Sequence, residues 1–129
     1  ETLGASYRNP LDVSLNFPLL DRIIKSLDIL SEDENTDAVV LEISVVFMKD
    51  LSWINNDLFD QMVDAVACFK ERCAKPFIAV AVPGHAEHEA LEIKRKLTAR
   101  EIPCFQSFER GARALNRAIS YYEAKEHRQ

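Results

Sequence analysis

The chain has 129 residues, 47% of them hydrophobic and 29% charged, with a formal net charge of −5. At that length one domain with a single core is expected, burying about two thirds of the surface of the unfolded chain. The acidic balance supplies no basic field for a phosphate backbone, so nucleic acid is not an expected partner. Neither is a membrane: no apolar run approaches the ~20 residues of a span, and the N-terminus lacks the layout of a signal peptide, so the chain reads as cytoplasmic.

Taken in chain order, residues 1–16 show no clear periodicity and read as loop, with a possible short strand at 12–17. Pro10 biases Asn9 away from helical dihedrals, and Asn9 and Asp12 bracket a turn in which their side chains can close local hydrogen bonds. From Pro18, suited to a first helical position, Leu20, Ile23, Ile24 and Leu27 recur at helical spacing and predict a helix to about Leu30. The acidic residues at 31–37 then read as a solvated loop. The run 38–46 is rich in Val and Ile and predicts a parallel strand covered on both faces.

Residues 47–56 are expected to form a long loop containing Phe47, Met48, Lys49, Asp50 and Trp53. Asn55, Asn56 and Asp57 are cap residues for a helix carrying Phe59, Met62, Val63, Val66 and Phe69 to about Cys73. Lys75-Pro76 opens a second buried strand at 77–82, which Pro83-Gly84 stops. Ala86, Ala90, Ile93 and Leu97 mark the inner side of a third helix. A short strand follows at 102–106. Ser107 caps a last helix whose inner face is expected to be Leu115, Ala118, Ile119 and Tyr122, fraying from about Lys125. Cys68, Cys73 and Cys104 lack the spacing of a zinc site or a disulfide framework and read as reduced core thiols.

Strands alternating with helices predict an α/β domain with a parallel sheet and helices on both faces, a three-layer flavodoxin-like, Rossmann-like architecture. About three strands are few for such a sheet, and the apolar run 38–46 makes a poor edge. Two completions are expected: an upstream strand-and-helix unit absent from this chain, consistent with a first residue of Glu1, or a second copy forming a homodimer.

Ligands of open parallel sheets gather beyond the carboxyl ends of the strands, here the loops 47–56, 83–89 and 107–109. Lys49 and Asp50 could meet a substrate or a partner domain there; alternatively, Met48 and Trp53 fill the end of the sheet. His85 and His88 share a helical face, but no third ligand of matching spacing accompanies them, so no metal is expected. With only Gly4, Gly84 and Gly111 in the chain there is no glycine-rich phosphate cradle, no Walker A and no nucleophile elbow.

Several stretches nevertheless form an ordered set: Gly4-Ala5-Ser6-Tyr7-Arg8 followed by Asn9-Pro10-Leu11-Asp12, Asp37-Ala38-Val39-Val40-Leu41, Lys75-Pro76-Phe77-Ile78, Ile102-Pro103-Cys104-Phe105 and Glu109-Arg110-Gly111-Ala112-Arg113-Ala114-Leu115. Across residues 4–122 this set resembles the ADP-forming (NDP-forming) acyl-CoA synthetases, relatives of succinyl-CoA ligase. The resemblance implies a flavodoxin-like ligase domain lacking the glycine-rich strand-to-helix unit that normally precedes the Asn-Pro-x-Asp turn. It implies a parent enzyme that converts acyl-CoA, ADP and phosphate into acid, ATP and CoA. CoA and ATP or ADP with magnesium would be bound by other domains or subunits, the CoA-binding and ATP-grasp parts, so this piece would carry no cofactor and no catalytic residue of its own. By position the resemblance points to Asn9, Asp12, Phe47, Met48, Lys49 and Gly84 as substrate-binding residues. One departure is visible: where the family's substrate loop is glycine-rich, this chain has Val46, Phe47, Met48, Lys49 and Asp50, whose bulk would crowd a nest of backbone amides. That departure motivates a second reading, a non-catalytic protein-association module of a ligase paralogue.

Overall fold

A computed structural model describes residues 8–13, 19–53 and 56–127. Its elements, in order, are α1 (Leu19–Glu32), β1 (Val39–Ser44), α2 (Val45–Leu51), α3 (Leu58–Arg72), β2 (Phe77–Val82), α4 (Glu87–Ala99), β3 (Cys104–Phe105) and α5 (Phe108–Glu126). The three strands form one parallel sheet in the order β1-β2-β3, and the α/β class read from the sequence is the one observed.

The sheet advances one strand at a time in one direction, and right-handed crossovers that do so place their helices on the same face. α3 and α4 accordingly share a face, and α1 packs with α3 and β1. The register, Val39 beside Phe77 and Ala79 beside Cys104, puts Val39, Leu41, Ile43, Phe77, Ala79, Ala81 and Cys104 on this side. Here lies the main core, in which Phe69 of α3 meets Phe77 edge to face at 5.2 Å. Ala90, Ile93 and Leu97 of α4 are all buried against it, as their spacing predicts. Burial of each large side chain is worth about 1.5–3 kcal/mol. The exposed ion pairs that also bridge α3 and α4, Lys96 with Asp60 and Arg100 with Asp64, are worth at most about 1 kcal/mol apiece, so packing decides this interface.

Among the described residues the opposite face carries α5 alone. A Cβ on Gly111 would lie 3.0 Å from Ile78 Cδ1 and 3.4 Å from Val80 Cγ2, so glycine is what lets α5 settle onto β2. Ser107 caps the helix by accepting a bond from the Arg110 backbone N–H at 3.3 Å, as expected. The expected inner stripe differs. Gly111 is the buried residue of α5, whereas Leu115 and Ile119 are half-buried and Ala118 and Tyr122 exposed. The helix also continues through Lys125 to Glu126.

β1 departs from its prediction in a related way. It is six residues long rather than nine, and Val40, Glu42 and Ser44 are exposed. Their side of the sheet is the one α5 leaves open, because α5 sits over β2 and β3; β1 is therefore covered on one face, not two.

The first connection is built rather than merely solvated. α1 extends to Glu32, and the Asp33 carboxylate then accepts bonds from the backbone and side-chain N–H groups of Asn35 and from the Thr36 hydroxyl. Lys75 reaches back across the start of β2 to donate to the carbonyls of Leu30 and Asp33. The bonds from Asn35, first the backbone and then the side chain, and from Thr36 hold the Asp33 carboxyl below its usual range, with the Lys75 charge a smaller contribution.

Of the three cysteines, Cys73 and Cys104 are buried free thiols, while Cys68 is exposed on α3, which corrects the reading of all three as core residues. Burial pushes the Cys104 thiol up from its ordinary value. Asp57 precedes α3 without a side-chain cap bond; Asn55, Pro18 and residues 14–17 lie outside the described residues. No helix among the described residues is long and apolar enough to cross a membrane.

Candidate functional site

The carboxyl ends of β1 and β2 meet α2, the turn 83–86 and the first turn of α4. The expected loop after β1 is replaced at its start by helix: Ser44 ends the strand and Val45 begins α2 directly. Val45 and Met48 lie three positions apart on one side of α2 and both are buried, Met48 being 2% exposed. Phe47, Leu51 and Val46 pack on the core from its margins. This short helix survives because its apolar side closes the end of the sheet, where tertiary packing outweighs the poor helix propensity of paired valines.

The turn after β2 is shaped around α2. Gly84 has φ +52, and a Cβ there would approach Val46 Cγ2 to 2.8 Å. Both the backbone conformation and the space therefore require glycine. Ala86 closes the turn by donating its N–H to the Pro83 carbonyl at 2.7 Å, and α4 begins at Glu87. Lys49 of α2 pairs with Glu89 of α4 at 2.7 Å. The hydrogen bond from Lys49, followed by Glu89's own backbone N–H, draws the Glu89 carboxyl below its usual range; partial desolvation opposes this, and the charges of Lys49 and His88 add to it. Beside this pair lies a cleft of about 160 Å³ between α3 and α4, lined by Asn56, Phe59, Asp60, Glu92, Ile93 and Lys96 together with Glu89.

Of the residues singled out from sequence, Lys49 and Gly84 take part in two contacts between α2 and the β2–α4 region. Met48 is a core residue, and Phe47 is half-buried beside it. Asn9 and Asp12 are exposed in the segment 8–13, where the Asn9–Pro10 peptide bond is cis, Asp12 forms an isolated bridge and Val13 packs on the core; neither joins those two contacts. Trp53, 80% exposed, does not fill the end of the sheet; Met48 does. His85 and His88 are exposed, and among the described residues no three of His, Cys, Asp and Glu converge as a metal site would require.

Two participants were harder to see in the sequence. Glu89 stands out there only as one of several acids at a helix start; Lys49, forty residues earlier, gives no sign of pairing with it. Val46 reads as the end of a strand and as bulk in the loop after it; that its methyl stands beside Gly84 is seen only in space.

Chemically, the arrangement offers one charge-neutralised pair, a cleft with polar and apolar walls, and an exposed turn whose glycine has a valine methyl beside it. Among the described residues the turn after β2 holds one glycine, Gly84, and no glycine-rich cradle for phosphate. Compared with protein-family models, with curated proteins and with solved structures, the chain gives no match.

Proposed function

We propose that this chain is a domain of an NDP-forming acyl-CoA synthetase, lending the carboxyl end of its sheet to an acyl and phosphoryl site completed by CoA-binding and ATP-grasp partners in the cytoplasm. The observation that carries the reading is the ordered set of Asn9-Pro10-Leu11-Asp12, Lys75-Pro76, Ile102-Pro103 and Glu109–Leu115 motifs in a parallel α/β chain. CoA, ATP or ADP and magnesium would belong to the partners. This chain's own part would be steric and electrostatic: Gly84 fixes the turn that faces the partner, and the Lys49–Glu89 pair sets α2 against α4. The native polypeptide, given a panel of short acyl-CoA thioesters, is expected to release CoA only when both ADP and phosphate are present. Release with neither, or no release from a folded preparation, argues against the ligase.

A second reading, a non-catalytic association module, is favoured by Val46, Phe47, Met48, Lys49 and Asp50 standing in helix α2 where the family's loop is glycine-rich, with Met48 buried in the core. It predicts a folded protein that assembles with ligase-type partners and cleaves no thioester.

A further inference from the structure

The sheet face that α5 leaves open has its own groove and its own charge. Between α5 and the start of β2 lies a cavity of about 340 Å³ lined by Pro76, Leu115, Ile119 and Tyr122, with Glu123 and Glu126 at its rim. The Val39 backbone N–H donates to the Pro76 carbonyl at 2.9 Å, so the groove's Pro76 wall adjoins the start of β1, whose Val40, Glu42 and Ser44 are exposed. Strands lie about 4.8 Å apart and a helix with its side chains is about 10 Å across, so one helix covers about two strands. α5 accounts for β2 and β3; a helix laid alongside it would cover β1 and close the groove.

We propose that this face docks an amphipathic helix of a partner protein, with an apolar stripe flanked by lysine or arginine. The apolar part of the match is Val40, Pro76, Leu115, Ile119 and the Tyr122 ring. The charge comes from Glu42, Glu123 and Glu126, with no lysine or arginine among the groove-lining residues. Lys75, next to Pro76, is drawn to the carbonyls of Leu30 and Asp33 instead, and Lys125, between Glu123 and Glu126 in sequence, is exposed and not among the groove-lining residues.

A second copy of the chain is a poor occupant. Antiparallel pairing of two β1 edges about a two-fold normal to the sheet sets Glu42 either opposite its own symmetry mate or one diagonal step from it, and like charges so placed are destabilising. The acidic rim of α5 would then face another acidic surface, in a protein of net charge −5. The inference does not depend on the ligase reading.

The test uses two synthetic helical peptides of about 18 residues, long enough to hold helical structure on binding. Both carry the same leucine stripe, flanked by lysine in one and glutamate in the other. Each is titrated into the isotope-labelled chain while backbone amide signals are followed. The lysine peptide is expected to shift signals in 39–44 and 115–126 and to bind about tenfold tighter than the glutamate peptide, the scale of a few partly exposed charge pairs. Charge reversal at Glu42→Lys, Glu123→Lys and Glu126→Lys together should invert the preference. Tyr122→Ala, at an exposed position that leaves the core intact, should weaken both peptides. Equal affinity for the two peptides, no binding by either, or shifts confined to α1, α3 and α4 would overturn the proposal. So would a dimer in sedimentation that Val40→Lys abolishes, which would assign the face to a second copy.

Discussion

Gly84 combines a left-handed φ of +52 with a neighbour, Val46 Cγ2, placed 2.8 Å from where a Cβ would stand. Gly84→Ala should therefore cost about 1–3 kcal/mol in a denaturant melt, because a strained backbone and a steric contact add. Shortening the neighbour with Val46→Ala should recover the steric part only. The Lys49–Glu89 pair makes a prediction about pH. Glu89 titrates below its usual value in the folded chain, so its stabilisation is present above the unfolded carboxyl value and lost as pH falls through the folded one. Thermal melts of the wild type and Lys49→Met should differ at neutral pH and converge in acid; a constant gap would show that Lys49 acts through packing. Thiol chemistry divides the cysteines: Cys68 is exposed, whereas Cys104 is buried and its thiol pushed up, so a maleimide should label Cys68 first and Cys104 only on unfolding. At this scale the sequence was legible where a residue's own chemistry is distinctive, as with Gly84 after a proline or Ser107 before a helix. It was not legible for Met48 and Trp53, two apolar residues five positions apart, since which of them is buried depends on where α2 begins.

Among the elements, β2 and α4 follow directly from sequence because their neighbours cover them as the pattern assumes. β2, the middle strand, is flanked by β1 and β3 and packed from both faces, and its predicted span of 77–82 is the observed one. α2 was missed because Val45 and Val46 extend the β-branched run of β1; the helical signal, Val45 with Met48 and Phe47 with Leu51, is only seven residues long and is settled by tertiary packing. α5 teaches the converse. Its strong apolar stripe at Leu115, Ala118, Ile119 and Tyr122 looks like a core face, yet the contact with the sheet is made by Gly111, which a hydrophobicity pattern does not weight. Gly111→Val should then force α5 off Ile78, Val80 and Phe105 and destabilise the chain by about 1–3 kcal/mol, a loss readable from the denaturation midpoint. At the other end of the molecule, Lys75→Met removes the donor to the Leu30 and Asp33 carbonyls. It should cost about 1–3 kcal/mol, the range for a charged hydrogen-bond donor, and an unchanged midpoint would contradict that role.

For the whole molecule, the alternation of helix and strand was enough to give the α/β class and the parallel sheet, because crossover handedness leaves few alternatives. The asymmetry of the layers was not readable. It follows from the strand order, with α1, α3 and α4 on one face and, among the described residues, α5 alone on the other, and periodicity within a single helix carries no information on strand order. That asymmetry leaves a chain whose central strand is packed from both faces and whose β1 is half-covered. The ligase reading supplies neighbours in its CoA-binding and ATP-grasp partners, and makes the carboxyl end of the sheet, with Gly84 at its centre, the working surface. The most direct measurement is acyl-CoA-dependent formation of ATP from ADP and phosphate by the native polypeptide, with magnesium, comparing the wild type with Gly84→Ala at a temperature where both remain folded. The account predicts turnover by the wild type and a marked loss in the variant without unfolding; no ATP from a well-folded wild type would contradict it and leave the chain as an association module.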